Sequence, residues 1–225
     1  MTSGRLLRDI PKKTAGRTGK TGQQTMRAVI LSLAASTVLA GCSGGSGDSA
    51  EIYDQYARMR ADLGTETSAT YLNTLNGDFV YTGTGFATFD NAGAFVDAVY
   101  DARVTAEFGP GQDYVSGDLT NFVPFGNEGN IDDTSSYEGN IQLQRVAFLG
   151  NDPSGTMDGQ LRYIEVDAEG VETTNELRGI SGNYNMQFHD SSSGIPAEYI
   201  ETGISGGVGG GGTIDGNFIV QNQDN

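Results

Sequence analysis

From residue 71 onward, apolar and polar positions alternate with a period of two. Gly139, Ile141 and Leu143 fall on one parity, and Asn140, Gln142 and Gln144 on the other. Gly182, Tyr184, Met186 and Phe188 likewise oppose Asn183, Asn185, Gln187 and His189. Residues two apart share a face of a strand, so each run has one apolar and one polar face. Clusters of Gly, Asn, Asp and Ser divide the pattern into eight runs, at 78–89, 95–108, 113–122, 137–148, 157–166, 177–189, 197–204 and 213–221. These runs predict antiparallel strands with one wet side.

A glycine recurs on the apolar parity, two residues before an apolar side chain: Gly139, Gly159, Gly182 and Gly216 all sit this way. Mid-strand glycine weakens a flat sheet, so its recurrence points to strong curvature. The expected fold is all-β: an eight-stranded antiparallel up-and-down barrel over 71–225, closed so that no edge remains. A β-sandwich of the same strands is the structural competitor. Alternation alone does not say whether the apolar face looks inward or outward. A membrane-spanning barrel is disfavoured by the absence of tryptophan and of aromatic girdles, and by the polar end QNQDN.

Upstream of the strands the period changes. Ile52, Tyr53, Tyr56, Met59 and Leu63 recur at roughly helical spacing. They predict a short amphipathic helix over 50–64, with Ser49 as cap, Glu51 in the first turn and Gly64 as the stop. It is expected to pack against the barrel or to cover an opening.

Before the helix lies Met26 to Cys42, MRAVILSLAASTVLAGC: one arginine, a short apolar run and the ending Leu39-Ala40-Gly41-Cys42. The run is too short to span a bilayer and has the layout of a signal peptide. Its ending is a bacterial lipobox, with Leu39, Ala40 and Gly41 ahead of a cysteine that is lipidated. Residues 26–41 are thus read as a lipoprotein signal peptide, and 42–49 as a flexible Gly/Ser tether. Residues 1–25 are read as an upstream extension, with Met26 as the true start. An N-terminal lipid anchor is a further reason against a spanning barrel.

Charge narrows the partners. Seven of the 13 Lys+Arg and one of the 29 acids precede Cys42, so the remainder carries six arginines, 28 acids and a net charge of −22. Such a surface repels phosphate backbones, which excludes nucleic acid, and it argues against docking on anionic lipid head groups. Cys42 is the only cysteine, so the fold has no internal disulfide and depends on its core.

Candidate chemistry is sparse. His189 is the single histidine, on the polar parity beside Asp190, and is expected to be exposed at a strand end. No Gly-x-Ser-x-Gly elbow accompanies it, and one histidine with one lipidated cysteine does not make a zinc site. The pairs Asp132-Asp133 and Glu165/Asp167 are the best carboxylate candidates for acid–base or calcium chemistry, although in so acidic a chain solvated turns are expected. Gly207 to Gly212 has the glycine spacing of a dinucleotide fingerprint but is followed by a strand rather than a helix. The end of a P-loop at Gly19-Lys20-Thr21 lacks its leading glycine. No catalytic residues, metal ligands or cofactor are expected, and the protein is read as a non-enzyme.

Three stretches carry a family likeness: YTGTGFATF from Tyr81, ARVTAEFGPGQDYVSGDLTNF from Ala102, and LRGISGNYNMQF with GGTIDGNFIV over 177–220. They resemble the barrel of transferrin-binding protein B-like surface lipoproteins, a group that includes factor H-binding and haemophilin-type proteins. The resemblance implies a barrel tethered by lipid to the outer membrane of a Gram-negative bacterium and displayed on the cell surface. It also implies capture of a host protein or of an iron source such as haem. This chain has one barrel where the namesakes have two lobes. The loops do not match, so no contact residues carry over.

The expected function is therefore that of a lipid-anchored binding module. A host or environmental protein would be met by loops 124–136, 149–156 and 205–212, held on a rigid barrel. The alternatives are a structural envelope lipoprotein and a carrier of a small apolar ligand or haem. In a carrier, Tyr163, Tyr184, Met186 and Phe188 would line the interior.

Overall fold

The computed structural model describes residues 49–125 and 134–224. The segment 26–41 read as a signal peptide, the residues Leu39, Ala40 and Gly41 read as a lipobox, Cys42, and the pair Asp132-Asp133 lie outside the described residues. The described elements are α1 (Ser49–Asp62), β1 (Leu63–Glu66), α2 (Ala69–Leu72), β2 (Gly77–Asp90), β3 (Ala98–Phe108), β4 (Asp113–Pro124), β5 (Ser135–Phe148), β6 (Ser154–Val166), β7 (Glu172–Ser191), β8 (Tyr199–Val208) and β9 (Gly212–Asn222).

Strands β2 to β9 form an antiparallel barrel in which each strand pairs with the next. The barrel closes where β9 returns to β2, from Tyr81↔Asn222 to Asp90↔Thr213. The eight strands are those the alternation predicts, with ends moved by a few residues. The apolar parity points inward. Tyr81, Ala87, Leu119, Ile141, Leu161, Tyr184, Phe188, Ile200 and Phe218 are all fully buried in one core cluster. The opposite parity of β5 and β7, from Asn140 to Gln144 and from Ser181 to Asn185, is exposed and polar on the outer wall.

Glycines on the inward parity allow the tight wall. A Cβ on Gly182 would sit 2.2 Å from the Ser205 carbonyl oxygen and 2.6 Å from Gly206 Cα. A Cβ on Gly155 would lie 2.6 Å from the Tyr184 hydroxyl, so the tyrosine ring takes the space a side chain would need. Aromatic rings fill both ends of the interior. Phe188 stacks on Phe148 at 5.7 Å and meets Tyr81 edge-on at 6.1 Å. At the other end, Phe89, Phe95, Tyr137 and Tyr163 form a second cluster with centroids 5.2–6.1 Å apart.

The up-and-down course gives two rims. Loops 109–112, 149–153 and 192–198 form the upper rim, and loops 91–97, 167–171 and 209–211, with the described residues Phe125 and Thr134, the lower one. Helix α1 runs along the outer wall between them. Its start packs Ile52 on Val99 and Val123 near the lower rim, and its end packs Met59 on Tyr199 and Ile219 near the upper rim. These outward apolar side chains of the wall are covered by the apolar stripe that the spacing predicts.

The helix ends at Asp62, and Gly64 does not serve as its stop. Leu63–Glu66 instead forms a short strand against the end of β7, with Leu63↔Ser191 and Glu66↔His189. The physical reason is the length of β7: its 20 residues outrun β6 and β8, and the exposed edge takes another partner. Gly64 permits that approach, since a Cβ there would be 2.5 Å from the Ser191 carbonyl oxygen. Ser68 then caps α2 by accepting the Tyr71 amide, and Leu72 enters the barrel core.

Candidate functional site

The four residues considered as an interior lining are all packed into the core. Tyr184 and Phe188 are fully buried, and Met186 and Tyr163 nearly so. The Tyr184 hydroxyl donates to the Gln144 carbonyl at 2.6 Å, and burial pushes its phenol up to about 12. Phe188 is surrounded by the rings of Tyr81, Phe108 and Phe148. Tyr163 packs on Tyr137 and Phe95. These side chains fill space rather than face it.

His189 departs from expectation: it is 9% exposed rather than open at a strand end. Its parity is outward, but β1 lies on one side, through Glu66, and β8 on the other, through Tyr199. Neither ring nitrogen has a hydrogen-bond partner, and Nε2 lies 3.6 Å from a Glu201 carboxylate oxygen. No serine hydroxyl is hydrogen-bonded to it, so it does not form a nucleophile–base pair. Ser191 instead bonds Ser193 at 2.8 Å, and Thr67 bonds Asp190 at 2.6 Å.

The carboxylates serve turns and braces. Asp167 accepts the amides of Glu169 and Val171 in an Asx-type turn, and Glu165 accepts the Thr174 hydroxyl at 3.1 Å. No cluster of three or more metal-ligating side chains occurs among the described residues. Glycines 209–211 form the turn between β8 and β9. Arg178 braces that turn, donating to the Gly209 carbonyl at 2.6 Å while pairing with Glu176 at 2.8 Å.

The three candidate contact loops do not form one surface. Loop 149–156 belongs to the upper rim, while 205–212 and the described ends of 124–136 belong to the lower rim. An up-and-down barrel alternates its loops between ends, so the sequence order already carried this signal. The upper loop is fixed on β7, whose Met186 and Phe188 amides donate to the Pro153 and Asn151 carbonyls at 2.8 and 3.2 Å. From it projects Leu149, 84% exposed, and the same rim carries the partly exposed Ile195 and Tyr71.

Two recesses mark the outer wall. One, of about 410 Å³, is shallow and polar, bounded by Asn140, Gln142, Asp158 and Gln160. The other, of about 460 Å³, lies between α1 and the wall and is aromatic: Tyr53, Tyr56, Phe86 and Phe125, with Asn217. Tyr53 stacks on Phe125 at 5.9 Å and Phe86 meets Phe125 edge-on at 6.2 Å. The sequence reading assigned Tyr53 and Tyr56 to the helix but missed the groove. The available signal was Phe86, an aromatic on the outward parity of β2 between Gly85 and Ala87.

At the upper end of α1, Asp62 forms a latch. It accepts hydrogen bonds from the Tyr199 hydroxyl at 2.7 Å and from Ser192, and these hold its carboxyl below the usual aspartate range. Burial, with the donation to Asp62, pushes the Tyr199 phenol well above its ordinary value. No protein family, curated protein or solved structure matches the chain.

Proposed function

We propose that this protein is a lipid-anchored outer-membrane lipoprotein whose barrel presents its upper rim as a binding surface for a host or environmental protein, or for a protein that carries iron or haem. The lipobox ending at Cys42 supports the anchor, and the resemblance to transferrin-binding protein B-like lipoproteins supports surface display. The observation that carries the binding role is Leu149. A large apolar side chain, 84% exposed, costs solubility and is held on a loop tied to β7 by two backbone hydrogen bonds. Leu149 shares its rim with the exposed Ile195 and Tyr71, and apolar side chains gathered on one loop-bearing face mark a contact surface. Tyr163, Tyr184, Met186 and Phe188 are packed into the core, which favours this reading over that of a carrier.

Mass spectrometry of the protein from membranes should show an acylated Cys42 as the N-terminus. A photo-crosslinking residue placed at Leu149 should give a discrete adduct on intact cells. The same residue at Leu177, which is 54% exposed on β7 away from the upper rim, should give none. Equal adducts at both positions, or none at Leu149, would refute the binding role.

A further inference from the structure

We infer that the aromatic groove between α1 and the barrel wall seats on the bilayer surface, taking zwitterionic lipid at the level where acyl chains meet head groups. This rests on the lipid-anchor reading of Cys42. Seven residue steps separate Cys42 from Ser49, the first residue of α1. An extended chain spans at most about 3.6 Å per residue, so the anchor lies within about 25 Å of the helix start. That start is beside the lower rim, and Tyr53 follows it by one turn. The groove therefore sits at the end of the protein that the tether holds closest to the membrane.

Its chemistry fits that place. Tyr53, Tyr56, Phe86 and Phe125 offer ring faces, two of them with a hydroxyl; among the described residues these and Asn217 bound the groove, and the Tyr56 hydroxyl accepts from Arg60 at 3.0 Å. Amphipathic rings of this kind concentrate where hydrocarbon meets head groups. Tyr53 is half exposed although it is stacked, and Val96 and Val171 add exposed apolar side chains on the lower rim. The net charge of −22 from Cys42 onward repels anionic head groups, so the preferred surface is zwitterionic. Seating the lower rim on the bilayer turns the upper rim, with Leu149, outward.

The chain contains no tryptophan, so a single one reports its own surroundings. The full chain, acylated in cells, is prepared as Tyr53→Trp and as Leu149→Trp and placed in phosphatidylcholine vesicles whose acyl chains are brominated. Bromine quenching should be at least about twofold stronger for Tyr53→Trp, and should weaken when phosphatidylglycerol replaces half of the lipid. Equal quenching at the two positions, with acyl mass on Cys42, overturns the seating and leaves the anchor standing. A tryptophan at 53 shielded from both bromolipid and aqueous acrylamide means that a protein or a second copy fills the groove, which also overturns it. Absence of acyl mass on Cys42 overturns the anchor reading and this inference together.

Discussion

The Tyr137 hydroxyl holds both backbone groups of Val96: it donates to the carbonyl at 2.6 Å and accepts the amide at 2.8 Å. This joins β5 to the loop between β2 and β3 beyond the end of the ladder between β4 and β5. Pairing of β4 with β5 runs from Asp113↔Phe148 to Leu119↔Ile141 and goes no further. Beyond it β4 turns at Asn121, whose φ is 51° and whose side-chain amide donates to Asp101 at 3.0 Å. At this end the rings of Phe95 and Phe122 pack on Tyr137, with centroids 5.4 and 6.4 Å away.

Tyr137→Phe keeps the ring against Phe89 and Tyr163, at 5.8 and 5.2 Å, but removes the partner of both Val96 groups. Val96 is exposed, so water can take up both groups and the loss is that of a net hydrogen bond, about 0.5–1.5 kcal/mol. Denaturant unfolding should show a loss in that range. Hydrogen exchange should show the Val96 amide opening faster while amides of β7 keep their rates. An unchanged Val96 amide would mean that the clamp is not what holds the loop.

Acid should loosen the α1 latch. Asp62 has its carboxyl lowered by the hydrogen bonds from Ser192 and Tyr199, so the unfolded state binds its proton more readily than the folded state does. Stability from this group is then complete above the unfolded value near 3.8 and is lost as pH falls through the lowered folded value. Protection factors along 49–62, taken relative to the intrinsic exchange rate at each pH, should fall as pH drops below 4, and Asp62→Asn should flatten that dependence. The carboxylate is only partly buried, so the effect is local release of the helix end rather than global unfolding.

Glycine positions supply a paired test of the barrel wall. Gly182→Ala sets a Cβ 2.2 Å from the Ser205 carbonyl oxygen, and backbone must move to admit it. Overpacking of this kind costs about 1–3 kcal/mol. Gly179, on the same strand and the outward parity, has nothing within 4 Å of its Cβ position. Gly179→Ala should therefore be neutral or stabilising by about 0.4–1 kcal/mol, through a less flexible unfolded chain. Thermal melts of the two variants should move apart, and equal shifts would show that wall curvature does not depend on the inward glycine.

These contrasts explain what the sequence could show. Tyr184 and Phe188 were legible as core because a two-residue period fixes which side chains share a face. Gly182 was legible as an inward glycine for the same reason, although its contact with Ser205 depends on the neighbouring strand's register. β1 was not legible: Leu63–Glu66 has no alternation and pairs only because β7 outruns its partners. The groove was half legible, through Phe86 facing outward, but Phe125 joins it from beyond the predicted end of β4 at 122. His189 shows the limit of parity, which gave its outward direction but not what flanks it there.

His189 also makes the sharpest stability prediction. An imidazole with two buried nitrogens and no hydrogen-bond partner is a cost that the fold carries. Removing an unsatisfied polar group while keeping its volume relieves that cost, by about 1 kcal/mol or more. His189→Leu should raise the unfolding free energy at pH 8, with an unchanged denaturant slope. A loss of stability would overturn this, and would mean that the ring supports the Glu201 carboxylate, whose oxygens lie 3.6 Å from Nε2 and 3.2 Å from the exposed Arg60 guanidinium. Glu201→Gln in the wild-type background should then lose about as much as His189→Leu does.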